Sequence, residues 1–193
     1  MGKYLFKIVL AGSNACESHK TALLNRYTTG QFNSDTKMTI GVDFAVHYLE
    51  LPNDGGAATL QIWDFGGEQR FRTMLPSFCQ GASGAFLMFD LVNPHTFYEL
   101  DEWVRIIHRN THNIPIILCG LNYSKIDHPE DLLLPVEDIK EFIIANHIDG
   151  YLSIDTNSGY NVSEAFYKLT ELMIKWDSSY IHPDHSLISP SYG

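Results

Sequence analysis

The sequence predicts one α/β domain built on a mostly parallel six-stranded sheet with one antiparallel edge strand. Short apolar runs alternate with amphipathic helical segments, a pattern typical of a parallel sheet covered by helices on both faces. An Asp-Gly turn at 54–55 joins two early strands and predicts the hairpin. The 193 residues, 45% of them apolar, suffice for a single core. The predicted strands are 4–12, 41–51, 57–65, 84–92, 114–120 and 150–155, and the predicted helices are 20–30, 93–110, 135–147 and 161–176.

Composition and charge exclude several classes of protein. The net charge of −10 argues against nucleic acid or an anionic membrane as the main partner. The three cysteines, Cys16, Cys79 and Cys119, have no metal-ligand spacing and predict a reducing, intracellular setting. Neither terminus matches a lipidation signal, since Phe6 stands where N-myristoylation requires Ser or Thr and the last residues contain no cysteine. We therefore expect a cytoplasmic protein that reaches a membrane only through a partner.

Five ordered segments carry a family resemblance. They are KIVLAG, TIGVDF, LQIWDFGGEQRF, GASGAFLMFDLVNPHTF and SGYNVSEAF. Together they resemble a Ras-superfamily small GTPase, and TIGVDF with IWDFGGEQRFR is most similar to the Rab group. The resemblance implies a three-layer P-loop NTPase fold, the Ras-like G domain, over residues 1–176, with 177–193 as a flexible tail. It also implies Mg²⁺ and GTP or GDP as ligands.

The segment before the first predicted helix is similar to the phosphate loop of that family, G-x-x-x-x-G-K-[ST]. The resemblance implies that Lys20 binds the phosphates and that Thr21 binds Mg²⁺. Gly12, however, lies eight positions before Lys20 instead of six. Counting back from Lys20 places Asn14 and His19 at the two glycine positions. Two interpretations remain open: a longer loop that still binds phosphate, or a remodelled one in which Lys20 is solvated and Thr21 caps a helix.

The resemblance also assigns the two switch segments. Thr39 and Asp64 correspond to Mg²⁺ ligands, and Gly67 corresponds to the glycine whose N–H meets the γ-phosphate. The family has Gln and then Glu after this glycine, whereas this chain has Glu68 and then Gln69. Because that Gln normally orients the attacking water, the reversal makes Glu68 and Gln69 the candidate catalytic residues. Hydrolysis is expected to be slow without a partner that supplies a charge.

The loops expected around the base depart from the family pattern as well. The resemblance assigns the base to Asn122, Lys125, Asp127, Thr156 and Asn157. If the loop after the fifth strand bulges, the first three keep the family's roles. If it does not, Tyr123 and Lys125 occupy the positions of the family's Lys and Asp. Guanine then loses the carboxylate that accepts hydrogen bonds from its N1 and N2 groups.

An aromatic cluster beside the switches is the expected surface for effector or regulatory proteins. Its members are Ile40, Phe44, Trp63, Phe71 and Phe78. The same rings would also serve simply to pack the sheet against its helices. Two functions follow: a slow guanine-nucleotide switch, or a pseudo-GTPase of the same fold that works as a nucleotide-free interaction scaffold.

Overall fold

The computed structural model describes residues 3–32, 42–51, 56–66, 74–126 and 133–181. Within these residues, six strands form one sheet in the order β2-β3-β1-β4-β5-β6. The strands are β1 (Lys3–Gly12), β2 (Val42–Leu51), β3 (Gly56–Phe65), β4 (Gly84–Asp90), β5 (Ile116–Leu121) and β6 (Gly150–Ser153). β2 pairs antiparallel with β3, and the other neighbours pair parallel. The predicted sheet, with one antiparallel strand at its edge, is confirmed.

Helices cover both faces of this sheet. They are α1 (Glu17–Thr29), α2 (Leu75–Cys79), α3 (His95–Tyr98), α4 (Leu100–Asn110), α5 (Val136–Ala145) and α6 (Val162–Ile181). α1 and α6 bury Leu23, Leu24 and Phe166 against one face. α2 to α5 bury Trp103 and Ile139, among others, against the opposite face. The predicted three-layer α/β architecture is therefore confirmed.

β4 and β5 lie at the centre of the molecule and are buried along their whole length. This explains why GAFLMFD and IILCGL are continuous apolar runs, since side chains on both faces of a central parallel strand meet helices. β2 differs, because its two faces alternate in exposure. Phe44, Val46 and Tyr48 share its exposed face.

The structure departs furthest from the predicted elements at three helices. α1 begins at Glu17, three residues before the predicted start, because the preceding segment folds as a turn that runs directly into the helix. The predicted helix 93–110 is two helices, α3 and α4, that meet at Glu99. α6 continues to Ile181, so the first five residues of the expected tail are helical, and 182–193 lie outside the described residues.

Candidate functional site

The carboxyl ends of the parallel strands converge at one edge of the sheet, where ligands bind in open α/β folds. Gly12 and Phe65 end β1 and β3, Asp90 ends β4 and Leu121 ends β5. Lys20 in α1 lies beside them, since its Nζ donates to the carbonyl oxygen of Phe65 at 2.8 Å. The candidate site therefore lies where the resemblance implies that the phosphates bind.

The segment between β1 and α1 is a single 3₁₀ turn, Asn14–Cys16. The N–H of Ala15 donates to Ser13 Oγ at 3.2 Å, and the N–H of Cys16 donates to the Ser13 carbonyl oxygen at 2.9 Å. Cys16 is fully buried, which anchors the turn on the core. A phosphate loop presents successive amides to an anion, whereas here two of these amides are bonded within the turn.

Lys20 and Thr21 occupy the first turns of α1, where both are buried. Thr21 Oγ1 donates to Asp64 Oδ2 at 2.7 Å across the gap between α1 and β3. The Thr21 hydroxyl uses its hydrogen on Asp64, so it is an oxygen lone pair that Thr21 presents to a cation. Hydroxyl and carboxylate oxygens are the donors that Mg²⁺ prefers, so this pair fits the ion. The fold thus brings Lys20, Thr21 and Asp64 together, and their roles towards phosphate and Mg²⁺ stay predictions.

His19 turns away from that group towards the neighbouring loops. Its Nε2 accepts a hydrogen bond from Asn122 Nδ2 at 3.1 Å and lies 3.8 Å from Asp90 Oδ2. Burial lowers the pKa of His19, Asp90 opposes this shift, and Lys125 adds to it. The imidazole is therefore neutral at pH 7, as an acceptor of an amide hydrogen must be. The structure places His19 in a contact between α1 and the β5 end, not in a solvated loop.

A carboxylate that the sequence did not mark as a site residue joins the two loops expected around the guanine base, which follow β5 and β6. Asp155, after β6, accepts hydrogen bonds from the backbone N–H and hydroxyl of Ser124. It also accepts from the N–H and hydroxyl of Ser158, at 2.7 and 2.8 Å. Burial raises the pKa of Asp155, but these bonds outweigh it and hold the pKa below its ordinary 3.8. Asp155 therefore fixes the relative position of the two loops.

The residues predicted to bind the base are only partly assembled. Asn122 adopts a left-handed backbone at the start of the 3₁₀ turn Tyr123–Lys125, and its side chain faces His19. Lys125 and Asn157 are exposed, whereas Thr156 is buried. Since Asp127 lies outside the described residues, both interpretations of this loop remain predictions.

Replacing Asp155 by Asn is expected to lower the free energy of unfolding by about 1.5 kcal/mol at pH 7, because charge-assisted hydrogen bonds are lost. The folded pKa lies below the ordinary value of 3.8. The stability supplied by the ionised carboxylate is therefore complete above that value and is lost as the pH falls through the folded pKa. Urea unfolding from pH 7 to pH 3 measures the cost, which should shrink below about pH 4.

The matched control is Glu137→Gln, since Glu137 is exposed and pairs only loosely with Lys140 at 3.5 Å. That variant should stay within about 0.5 kcal/mol of the parent. An Asp155→Asn cost that equals the control, or that does not depend on pH, would show that the carboxylate does not hold the loops.

Known proteins resemble this chain over most of its length. A model of the Ras family matches residues 7–175. The chain belongs to the Ras family. RABA1b of Arabidopsis thaliana, a Ras-related protein, is 35% identical over 164 residues, 84% of this chain and 72% of the relative. The GTP-binding protein ypt4 of Schizosaccharomyces pombe is 31% identical over 98% of this chain and 81% of the relative. Rab-8B of Bos taurus is 33% identical over 89% of this chain and 80% of the relative.

These relatives make the chain a Rab-like small GTPase of the Ras superfamily, as the ordered motifs predicted. Members of this family generally bind GTP or GDP with Mg²⁺ and interact with effectors and regulators. None of the helices within the described ranges combines the length and apolar character needed to cross a bilayer.

The predicted effector cluster of this Ras-family protein is partly described. Phe44 and Trp63 form an edge-to-face pair with ring centroids 5.1 Å apart, and Trp63 lies 5.8 Å from Phe78. Phe44 is 46% exposed, whereas Trp63 and Phe78 pack against the core. The rings therefore form one contiguous aromatic surface that is anchored on its inner side.

Several predicted residues of this Ras-family protein lie outside the described residues. They are Thr39, Ile40, Gly67, Glu68, Gln69, Phe71 and Asp127. Their assignments stay predictions. Gly12 and Asn14 are described as the last residue of β1 and the first of the 3₁₀ turn.

Sequence reasoning missed Ser13 and did not assign Asp155 its structural role. Ser13 carried a usable signal, because a serine just after a strand-ending glycine often caps a local turn with its hydroxyl. Asp155 carried none, since its partners Ser124 and Ser158 are ordinary loop serines until the fold brings them together.

Proposed function

We propose that this chain is a guanine-nucleotide-dependent switch that binds GTP or GDP with Mg²⁺ and hydrolyses GTP slowly. The observation that supports it is the contact set at the ends of β1 and β3. Lys20 lies against Phe65, and Thr21 donates to Asp64 at 2.7 Å. A buried ammonium beside a hydroxyl–carboxylate pair matches what a Mg²⁺–phosphate group needs.

The role of each side chain in the proposed site follows from its functional group. Lys20 would neutralise phosphate oxygens, while Thr21 and Asp64, with Thr39, would hold the ion. When bound, Mg²⁺ supplies charge that stabilises the transferring phosphoryl group. Intrinsic hydrolysis without a partner that supplies a charge is expected to be slow, on the order of 10⁻³ s⁻¹ or less. Glu68 occupies the position where the family has a water-orienting Gln.

The partners we propose are effector or regulatory proteins that bind the surface of Phe44, Trp63 and Phe78. Aromatic side chains that are exposed on one side and anchored on the other are favoured contact residues. We expect the protein to act in the cytoplasm and to reach membranes through such a partner.

A second candidate is a nucleotide-free interaction module of the same fold. It is favoured by the 3₁₀ turn, in which Ser13 bonds the amides of Ala15 and Cys16. In this alternative, Lys20 has a structural role, since its Nζ bonds the Phe65 carbonyl oxygen and lies 5.6 Å from the Trp103 ring centroid.

One experiment separates the two functions. The purified chain is denatured, and the released nucleotides are separated and detected at 260 nm, while a second sample is melted with and without GTP and Mg²⁺. A switch should release stoichiometric GDP or GTP, or should melt higher by several degrees in excess ligand. It should also hydrolyse GTP slowly in single turnover. No released nucleotide together with an unmoved melting temperature would reject the switch in favour of the module.

A further inference from the structure

The hydrogen bond between His19 and Asn122 spans two elements of the candidate site. His19 lies in the first turn of α1, and Asn122 follows β5, more than 100 residues later. The 3.1 Å bond therefore ties the start of α1 to the neighbouring loop. A shift of the first turn of α1 away from the sheet must break this bond.

The next residue of α1 is Lys20, the lysine that we propose binds phosphate. Lys20 has no exposed surface, and its Nζ lies 2.8 Å from the carbonyl oxygen of Phe65. Upstream, Ser13 closes the 3₁₀ turn, and Cys16 fixes it in the core. A phosphate group reaches Lys20 only if this part of the chain rearranges.

We propose that His19 and Asn122 form a latch that holds the phosphate site closed and limits the rate at which nucleotide enters. This inference rests on the proposed switch function. Entry then follows a population shift, in which nucleotide binds the fraction of molecules whose latch is open. Breaking one hydrogen bond raises that fraction by about tenfold.

The test measures association of a fluorescent GDP analogue with His19→Ala and Asn122→Ala, by stopped flow in Mg²⁺ buffer. Each variant should raise the association rate about tenfold over the parent chain. The double variant should be no faster than either single variant, because both remove the same contact. Dissociation is recorded in parallel, since a loss of direct nucleotide contact by either residue would appear there.

His108→Ala is the matched control. His108 Nε2 bonds the carbonyl oxygen of Asn146 at 3.1 Å, beyond the opposite ends of β5 and β6. It is the same chemical change at a similar cross-segment contact, so a general loosening of the fold would appear equally there. His108→Ala should leave the association rate unchanged.

The outcomes separate the latch from the proposed function. Acceleration in both site variants but not in His108→Ala supports the latch, as does binding by the variants where the parent chain binds none. Nucleotide binding by the parent chain with an unchanged rate in His19→Ala overturns the latch alone. Slower association in His19→Ala would make the ring a ligand contact and also overturn it. No binding by any variant rejects both proposals.

Discussion

Replacement of Lys20 by Met is expected to weaken guanine-nucleotide binding by about 100-fold, the equivalent of losing a charge-assisted hydrogen bond. Lys20 is fully buried and lies beside the Thr21–Asp64 pair, so its charge acts where water does not screen it. Methionine keeps the length and apolar stem of the side chain and removes only the ammonium. Equilibrium titration with a fluorescent GDP analogue measures the loss.

Lys140→Met provides the control, because Lys140 is exposed on α5 and its partner is a neighbouring glutamate. That variant should bind nucleotide as the parent chain does. Equal affinities for Lys20→Met and the parent chain would mean that the lysine does not contact phosphate, and the nucleotide-free module would then be the better description.

Gly12→Ala is expected to lower the free energy of unfolding by about 3 kcal/mol, or about 10 °C in melting temperature for a chain of this size. A Cβ at Gly12 would lie 2.4 Å from the carbonyl oxygen of Met88 on β4. The backbone of β1 fixes the position of the Cβ, and the carbonyl belongs to the backbone of β4, so neither group can rotate away. The strands must separate at the end that supports the 3₁₀ turn, and circular dichroism during heating measures the effect.

Gly81→Ala separates this clash from the ordinary cost of replacing a glycine. Gly81 has a φ of +71°, and a Cβ there would meet no atom within 4 Å. Its substitution should cost only the strain of a left-handed alanine, about 1 kcal/mol. If Gly12→Ala were no more costly than Gly81→Ala, the close approach of β1 and β4 would not limit the fold.

The amino-acid sequence was sufficient for the architecture because the signals for it are local. A continuous apolar run such as GAFLMFD identifies a central strand wherever it stands, and the Asp-Gly turn identifies the hairpin. The boundaries that were wrong are those set by contacts between elements. The break at Glu99 and the early start of α1 at Glu17 depend on what each segment packs against.

In the candidate site, too, some residues could be predicted from the sequence and some contacts could not. The resemblance assigned Lys20, Thr21 and Asp64 to one site, and the fold does bring them together. The partners of His19 and Asp155 could not be predicted, since Asn122 and Ser124 lie 103 and 31 residues away from them. Hydrogen bonds of this kind depend on side-chain direction and burial, which a linear pattern does not specify.

The sequence by itself determined that this chain folds as a Rab-like α/β domain and where along it the candidate phosphate site lies. Only the tertiary structure decided how the backbone and side chains of that site are arranged. The turn closes on Ser13, Lys20 is covered, and His19 bonds Asn122. The physical reason is that periodicity encodes which face of an element is buried, whereas the direction of an amide or an imidazole is set by the neighbours that three-dimensional packing supplies.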